Sequence, residues 1–315
     1  MGEEYAVQAE GLRKQFGEIV AVAGVSVAVR PGELFALVGP DGAGKTTTMR
    51  MLCGVLVPDG GTARVAGFDV VREPEQVKLR IGYMPQRFSL YEDLTVAENL
   101  RFFADLYEVP RAQRAEREQR LLQFSRLGPF TDRLARDLSG GMRQKLALMC
   151  TLIHEPQVLF LDEPTTGVDP VSRRELWRIL YSLLGRGVTL FLTTPYMDEA
   201  ERCQRVALMA RGRVMACDAP ARLKEQMPGV VFEVRCTPLR EGQALLRAVE
   251  GVRAAHVFGE RLHVWVEEAA GAEERIEAAL ARGGVRITSL RAVPPSLEDV
   301  FVSVLAGEEG GAPER

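Results

Sequence analysis

A glycine-rich loop between an apolar strand and a helix constrains this chain more than any other part of its sequence. Residues 39–46, Gly-Pro-Asp-Gly-Ala-Gly-Lys-Thr, fit the pattern Gly-x4-Gly-Lys-Ser/Thr. The apolar run 34–38 before them predicts a buried strand, and residues 47–52 after them predict a helix. In this strand–loop–helix context the pattern binds the phosphates of a nucleotide. The sequence therefore predicts an ATP or GTP site in an α/β fold.

The residue types of this phosphate loop explain how it would hold an anion. Its glycines let successive backbone N–H groups turn toward one phosphate, and the following helix N-terminus adds positive potential. Lys45 can reach the outer phosphates, and the Thr46 hydroxyl can ligate Mg²⁺. A glycine turn without a ligand gives no reason for this Lys-Thr pair. The predicted nucleotide-binding residues of the loop are Gly39, Pro40, Asp41, Gly42, Ala43, Gly44, Lys45, Thr46 and Thr47.

Length, charge and cysteine usage exclude several other classes of protein. The 315 residues are enough for one large α/β domain and a small one. A net charge of −3 argues against a dedicated nucleic-acid binder. The five cysteines are scattered without a Cys-x-x-Cys pair, which favours buried thiols over disulfides or zinc. The sequence has no signal-peptide layout and no apolar run of membrane length, so we expect a cytosolic chain.

Strands and helices alternate along the first two thirds of the chain. Apolar runs at 81–84, 157–161 and 188–193 predict strands, and 205–217 predicts a hairpin. Such alternation is typical of a mainly parallel sheet covered on both faces. Further helices are predicted at 95–107, 111–127, 141–153 and 171–184.

A smaller domain is predicted after Pro228-Gly229. From residue 230 to 291 the elements follow the order strand, helix, strand, strand, helix, strand, which suggests a ferredoxin-like α+β module. The last residues are polar and rich in glycine and proline, which predicts disorder. The predicted segments are a nucleotide-binding domain at 1–227, an accessory domain at 228–306 and a disordered tail at 307–315.

An apolar strand that ends in two acids supplies the second part of the predicted site. In Val-Leu-Phe-Leu-Asp-Glu-Pro, residues 158–164, Asp162 would place a carboxylate beside the phosphate loop, within reach of Mg²⁺. Glu163 would then orient and deprotonate a water for attack on the γ-phosphate. Alone, such acids would indicate only a solvated strand end. The phosphate loop upstream favours the catalytic interpretation.

Residues 138–144, Leu-Ser-Gly-Gly-Met-Arg-Gln, carry a resemblance to a known family. With this segment between the phosphate loop and the Asp-Glu strand, the chain resembles the nucleotide-binding subunit of an ABC transporter over about residues 5–225. Ser-Gly-Gly at a helix start offers a hydroxyl, N–H groups and a helix dipole to a phosphate, although alone it could be only a helix cap. The resemblance implies that Ser139, Gly140 and Gly141 complete the ATP site of an opposite subunit, so that two domains sandwich two ATP molecules head to tail.

The same resemblance implies a fold and further site residues. The fold is a P-loop NTPase (ABC ATPase) domain with a parallel sheet core, an antiparallel β subdomain and a helical subdomain. Phe16 matches an aromatic that stacks on adenine, and Asp169 lies at the dimer seam. Gln86 matches a loop glutamine that contacts Mg²⁺ and water and senses the transporter's coupling helix. The implied cofactors are ATP and Mg²⁺, the catalytic residues are Glu163 and Gln86, and the metal site comprises Thr46, Gln86 and Asp162.

One position departs from the family pattern. The family usually has a histidine, which binds the γ-phosphate, before Tyr-Met-Asp-Glu-Ala. Here that position is Pro195, which has no donor. Either Glu163 drives hydrolysis with a weakened γ-phosphate contact, or the site binds ATP and turns over slowly. Because the other motif residues are intact, we expect active hydrolysis at a reduced rate.

The C-terminal segment 295–301, Pro-Ser-Leu-Glu-Asp-Val-Phe, resembles the ending of ATPases in the drug-, antibiotic- and lipid-export branch of the family. This implies an ATPase, as a homodimer or heterodimer, that energises export through a separately encoded membrane permease at the inner face of the cell membrane, with no nucleic-acid partner. Two alternatives stay open. One is an ATP-binding regulatory switch with little turnover, and the other is a soluble ABC ATPase of repair or translation.

Overall fold

The computed structural model describes residues 5–86 and 90–309, and these form two compact units that divide after Val214. The boundary predicted at 227/228 lies later than this division. The helix Pro220–Glu225 accounts for the difference, because it packs against the last helix of the chain and so belongs with the second unit.

A six-stranded sheet forms the centre of the first unit, and its edge strand Arg213–Asp218 continues past the division after Val214. Its strands are β3 (Leu34–Val38), β6 (Ile81–Met84), β7 (Val158–Asp162), β8 (Thr189–Thr194), β9 (Arg205–Ala210) and β10 (Arg213–Asp218). They lie in the order β10-β9-β3-β8-β7-β6, and the pairs from β9 to β6 are parallel. Every residue of β3, β7 and β8 is buried, as expected for parallel strands covered on both faces.

A second, antiparallel sheet shares a hydrophobic core with the first. Its strands are β1 (Val7–Phe16), β2 (Ile19–Val29), β4 (Gly60–Val65) and β5 (Phe68–Asp69), in the order β2-β1-β4-β5. Val25 from this sheet and Phe35 and Phe160 from the parallel sheet belong to one buried cluster. The predicted antiparallel β subdomain is therefore present.

The helices of the first unit begin with the one that follows the phosphate loop. They are α1 (Lys45–Leu52), α2 (Pro74–Lys78), α3 (Val96–Leu106), α4 (Arg111–Ser125), α5 (Gly140–Leu152), α6 (Pro170–Leu184) and α7 (Met197–Ala200). Helices α3, α4 and α5 pack on one another as the predicted helical subdomain. A reciprocal capping box of Thr95 and Glu98 starts α3. Within residues 5–86 and 90–309, no helix is both long and apolar enough to cross a membrane.

The second unit contains the predicted ferredoxin-like module. Its elements are α8 (Pro220–Glu225), β11 (Val230–Thr237), α9 (Leu239–Arg247), β12 (Val252–Phe258), β13 (Arg261–Val266), α10 (Ala272–Arg282), β14 (Arg286–Val293) and α11 (Leu297–Glu309). The antiparallel strand order β12-β13-β11-β14 confirms the fold class. Helix α11 extends into the segment from Gly307 that the sequence predicts to be disordered, while residues 310–315 lie outside the described part.

Candidate active site

Four loops meet at one edge of the parallel sheet. Val38 pairs with Thr194, and Asp162 pairs with Thr193, so β3, β7 and β8 end at the same level. Since the strands are parallel, the loops that follow their carboxyl ends share this edge, where ligands bind in open α/β sheets. The phosphate loop follows β3, Glu163 follows β7, Pro195 follows β8 and Gln86 follows β6.

Backbone conformation and close packing together require glycine in the phosphate loop. Gly42 and Gly44 have φ angles of 78° and 100°, a backbone conformation that residues with a Cβ rarely adopt. A Cβ at Gly39 would lie 2.0 Å from the Met209 carbonyl oxygen. The pattern of glycines is thus explained by the geometry of the loop around the start of α1.

Lys45 is the cation of the site and is almost fully buried. Its Nζ donates to the carbonyl oxygens of Gly39 at 2.8 Å and Pro40 at 3.0 Å. It also lies 3.4 Å from Oε1 of Glu163. The ammonium therefore stands between the phosphate loop and the acid at the end of β7.

Asp162 joins the phosphate loop to β8. Its Oδ1 accepts hydrogen bonds from the hydroxyls of Thr46 at 2.9 Å and Thr193 at 2.6 Å. Its Oδ2 is buried and has no hydrogen-bond partner in the described part of the chain. A buried carboxylate oxygen without a partner is costly, and a bound cation would satisfy it.

Glu163 faces the same space from the next position and is 7% exposed. Its Oε2 accepts hydrogen bonds from Gln86 Nε2 at 3.0 Å and from the Thr166 hydroxyl at 3.3 Å. Its backbone has a φ of 48°, an uncommon conformation for a non-glycine residue, and its N–H donates to Thr193. With this conformation the chain leaves the strand direction at Glu163. Asp162 and Glu163 therefore contact different partners although they are consecutive.

Lys45 and Glu163 border an open cleft with a volume of about 620 Å³, whereas the buried Asp162 is not one of its lining residues. Phe16, which is 49% exposed, lines the cleft. Most of the predicted phosphate-loop residues line it, as do Gln86, Glu163 and Pro195 at the ends of the other strands. The lining residues are Phe16, Ile19, Val20, Ala21, Asp41, Gly42, Ala43, Gly44, Lys45, Thr46, Thr47, Gln86, Glu163, Thr166, Pro195 and Tyr196.

The Ser-Gly-Gly segment lies elsewhere on the same unit. Ser139 caps α5, since its hydroxyl accepts from the Met142 N–H at 3.3 Å, and both Ser139 and Gly140 are exposed. A Cβ at Gly141 would lie 2.0 Å from the hydroxyl oxygen and 2.4 Å from the Cβ of Ser172, so any larger residue there would force α5 or α6 to shift. These three residues do not line the cleft described above.

Asp169 begins α6 next to this segment. Its Oδ1 accepts from the N–H groups of Val171 and Ser172, both at 3.0 Å. Hydrogen bonds from the Ser172 hydroxyl and N–H lower the pKa of the Asp169 carboxyl. Asp169 thus carries its charge at a helix N-terminus, where a negative charge is stabilised.

Sequence motifs missed three hydroxyl-bearing residues of the site. Thr193 holds both Asp162 and the backbone of Glu163, Thr166 donates to Glu163, and Tyr196 lines the cleft beside Pro195. The only signal in the sequence is that they lie at or within a few residues of the ends of predicted strands, a placement that many other residues share. Their roles depend on strand order, which no motif encodes.

Two family models match parts of the sequence. The model described as ABC transporter matches residues 22–166. The model described as ATP-binding protein DrrA1-3-like, C-terminal domain, matches residues 219–305. The two matches fall on the site-bearing unit and on the ferredoxin-like unit.

Several curated proteins are similar over nearly the whole chain. The probable multidrug ABC transporter ATP-binding protein YbhF of Escherichia coli K12 is 43% identical over 94% of this chain, which spans only 51% of YbhF. The Nod factor export ATP-binding protein I of Cupriavidus metallidurans is 40% identical, with 96% of this chain and 98% of that protein covered. The daunorubicin resistance ATP-binding protein DrrA2 of Streptomyces coeruleorubidus is 39% identical, with 95% and 94% covered.

Solved structures give the same result. An ATP-binding subunit of an ABC transporter is 29% identical, with a TM-score of 0.65 over 70% of this chain and 92% of that one. CbiO1 from Clostridium perfringens, part of an ABC transporter complex, is 26% identical, with a TM-score of 0.65 over 71% and 92%. On sequence identity, coverage and fold together, this chain belongs to the ATP-binding proteins of the ABC transporter family.

Proposed function

We propose that this chain binds and hydrolyses ATP and powers export through a separately encoded membrane permease. The observation that carries the hydrolytic part is the position of Glu163. Its carboxylate is buried at the wall of the cleft, 3.4 Å from the Lys45 ammonium and hydrogen-bonded by Gln86. A base, a cation and a polar amide therefore converge where the outer phosphate of a nucleotide on the loop would lie.

The contacts of Lys45 suggest how nucleotide binding would prepare the base. Lys45 Nζ donates to two carbonyl oxygens and lies beside the Glu163 carboxylate. Phosphate oxygens carry more negative charge than carbonyls, so the ammonium would turn to them when ATP binds. Glu163 would then lose its nearest cation and become a better acceptor for the proton of an attacking water. Phe16, half exposed at the cleft, would stack on adenine.

The oxygen atoms at the end of β7 fit a Mg²⁺ ion. Asp162 offers a buried oxygen without a protein partner, and Thr46 offers a hydroxyl 2.9 Å from the other carboxylate oxygen. Hydroxyl and carboxylate oxygens together with substrate phosphates are the usual ligands of Mg²⁺ in ATPases. We assign Thr46, Asp162 and Gln86 as its ligands. When bound, the ion would neutralise charge on the phosphate oxygens.

We further propose that the working site needs a second ATPase chain. Ser139 and Gly140 are exposed at the start of α5 and lie outside the cleft of their own chain. A helix N-terminus with an exposed serine and an exposed glycine suits the phosphates of a nucleotide bound to another subunit. Asp169, ionised beside this segment, would lie at the seam of a homodimer or heterodimer.

Relatives named for multidrug transport, Nod factor export and daunorubicin resistance support an export role. We propose that the exported compounds are drugs or other hydrophobic molecules and that the chain is cytoplasmic, held at the inner face of the membrane by its permease. No nucleic acid is expected to take part.

Pro195 favours a second candidate function, an ATP-binding switch with little turnover. Pro195 lines the cleft and has no hydrogen to donate to a γ-phosphate. Losing one donor to a developing charge costs about 10²–10³ in rate. We expect hydrolysis to survive such a loss because the base, the lysine and the carboxylate at the metal position are all in place.

Phosphate release by the purified chain separates the two candidates. We expect the wild type to exceed Glu163→Gln by at least about tenfold, since the amide cannot accept a proton. Glu116→Gln, an exposed glutamate of α4, is the matched control and should behave as wild type. If wild type and Glu163→Gln bind ATP equally and release phosphate equally slowly, the chain is an ATP-binding switch and not a hydrolase.

Purification from detergent-solubilised membranes tests the transport role. We expect the chain to bring down a membrane protein with several spanning helices in a fixed ratio. Recovery only as a soluble protein, with ATPase activity intact, would instead favour an ABC ATPase of repair or translation.

A further inference from the structure

Glu199, on the short helix α7, is a fully buried carboxylate with hydrogen bonds on both oxygens. Its Oε1 accepts from Arg173 Nε at 2.7 Å and from the Thr165 hydroxyl. Its Oε2 accepts from the Thr194 hydroxyl at 2.8 Å. It is 0% exposed. A charge so deeply buried is tolerated only when it is paired and hydrogen-bonded, so each of these contacts is costly to break.

The two threonines connect this carboxylate to the cleft. Thr165 lies two residues after Glu163. The next residue of the same turn, Thr166, donates a hydrogen bond to Glu163. Thr194 directly precedes Pro195, and its hydroxyl accepts from the N–H of Tyr196 at 3.0 Å. Thr194 therefore connects Glu199 to the backbone on both sides of Pro195. Thr165 connects Glu199 to the loop that carries Glu163.

Arg173 brings a third segment to the same carboxylate. It lies in the first turn of α6, four residues after Asp169, which caps that helix. Its guanidinium also bonds Asp198 at 2.9 Å and lies over the ring of Tyr196, 5.3 Å from the centroid. Burial alone would lower the pKa of Arg173, but the charge of Glu199 and the bonds to both acids raise it.

We propose that Glu199 is a positioning residue for hydrolysis, a role that rests on the proposed function. It holds the loop of Glu163, the segment around Pro195 and the start of α6 in one arrangement. Because Pro195 cannot donate a hydrogen bond to a phosphate, contacts made by the neighbouring residues must hold its segment in position. Glu199 supplies that restraint without touching the nucleotide, since it does not line the cleft.

A pair of adjacent acids gives a matched test. Glu199→Gln keeps the volume of the side chain and removes the charge, whereas Asp198→Asn removes the other, 63% exposed, partner of Arg173. We expect Glu199→Gln to lower kcat by about tenfold or more with KM for ATP changed by less than about threefold. Asp198→Asn should keep kcat near wild type. Equal kcat in Glu199→Gln and wild type, or an equal loss in both variants, would overturn the proposal.

Amide hydrogen exchange provides a readout that does not depend on turnover. In Glu199→Gln we expect faster exchange in peptides covering residues 163–166 and also in those covering 194–197, because both lose the shared carboxylate. Faster exchange confined to α7 would overturn the proposal even in a protein without ATPase activity. Wild-type turnover no higher than that of Glu163→Gln would refute only the proposed hydrolysis.

If Glu199→Gln does not fold, Thr194→Val takes its place. This substitution removes only the hydroxyl that joins Glu199 to the N–H of Tyr196. The same fall in kcat without a change in KM is expected, and Thr194→Ser should restore it. Failure of the serine variant to recover activity would show a packing effect instead.

Discussion

At Gly44, the backbone angle and the surroundings both exclude a side chain. Its φ is 100°, and an added Cβ would lie 2.3 Å from the carbonyl oxygen of Ala21. The loop would have to move away from β2, because a backbone oxygen cannot rotate out of the way. We expect Gly44→Ala to destabilise the protein by about 1–3 kcal/mol and to raise the Kd for ATP at least about tenfold. Thermal unfolding and nucleotide titration measure the two effects.

Gly42→Ala is the control for this prediction. Gly42 has a φ of 78°, but no atom lies within 4 Å of its added Cβ. Gly42→Ala therefore tests the backbone conformation without a steric clash. It should lower the free energy of unfolding by less than Gly44→Ala does. Equal losses in both variants would mean that backbone strain alone explains the glycines.

Pro195 allows a gain of activity to be predicted. The residue lines the cleft and follows Thr194, whose position is fixed by Glu199. Because contacts of the neighbouring residues hold this segment in place, Pro195→His would add a hydrogen-bond donor without requiring the loop to adopt a new conformation. We expect kcat to rise by about tenfold or more, because a new contact to the γ-phosphate strengthens in the transition state.

Pro195→Ala distinguishes the donor from the loss of the proline ring. Steady-state phosphate release should stay near the wild-type rate in this variant. A similar rise in Pro195→Ala and Pro195→His would assign the effect to backbone freedom.

At the scale of elements, a buried hydrogen bond between a histidine and a carboxylate attaches α11 to the ferredoxin-like sheet. His263 Nδ1, on β13, lies 3.0 Å from both oxygens of Asp299 in the first turn of α11. The N–H and hydroxyl of Ser296 donate to the same carboxylate. Burial would raise the pKa of Asp299, but the hydrogen bonds of His263 and Ser296 outweigh it and hold the pKa below 3.8.

This depressed pKa makes the stability of the second unit depend on pH. The contribution of Asp299 is present above the unfolded-state pKa and is lost as the pH falls through the lower, folded-state pKa. We therefore expect Asp299→Asn to cost about 1–3 kcal/mol at neutral pH and progressively less below pH 3.8. Unfolding followed by Trp265 fluorescence in a Trp177→Phe background reports on this unit alone.

Glu298→Gln is the matched control on the same turn of α11. Its stability should follow that of the wild type at every pH. A difference between wild type and Asp299→Asn that stayed constant into acid would contradict the hydrogen-bonded Asp299 carboxylate as its source.

The same scale explains which parts of the molecule could be predicted. Long buried strands and the strand–loop–helix around Lys45 were readable, because their patterns are local and continuous. Helix α7 has four residues, which is too few to show a helical period, and α11 ends in the polar residues from Gly307 that predict disorder. The Glu199 contacts join residues far apart in sequence and arise only once β7 and β8 are neighbours.

At the scale of the whole molecule, the Ser139–Gly141 segment, which we propose contacts the nucleotide of another subunit, lies outside the cleft of its own chain. Lys45 and Glu163 border the cleft, whereas Ser139 is exposed at the start of α5 outside it. Two copies arranged about a twofold axis would bring each segment to the partner's cleft, as closed dimer symmetry allows. Substitutions at Ser139 should therefore affect assembly and leave nucleotide binding by one chain intact.

Ser139→Glu in a Glu163→Gln background tests this separation. Because Glu163→Gln slows hydrolysis, ATP should accumulate in the site and drive dimer formation, which sedimentation measures. A carboxylate at residue 139 would face the phosphates of the partner's nucleotide, so we expect the ATP-dependent dimer to weaken by at least about tenfold. Its Kd for ATP as a monomer should match that of the parent, and Ser139→Thr, which keeps the hydroxyl that caps α5, should still dimerise. A Ser139→Glu chain that loses monomer ATP affinity would place this segment in the site of its own chain and remove the reason for a two-chain site.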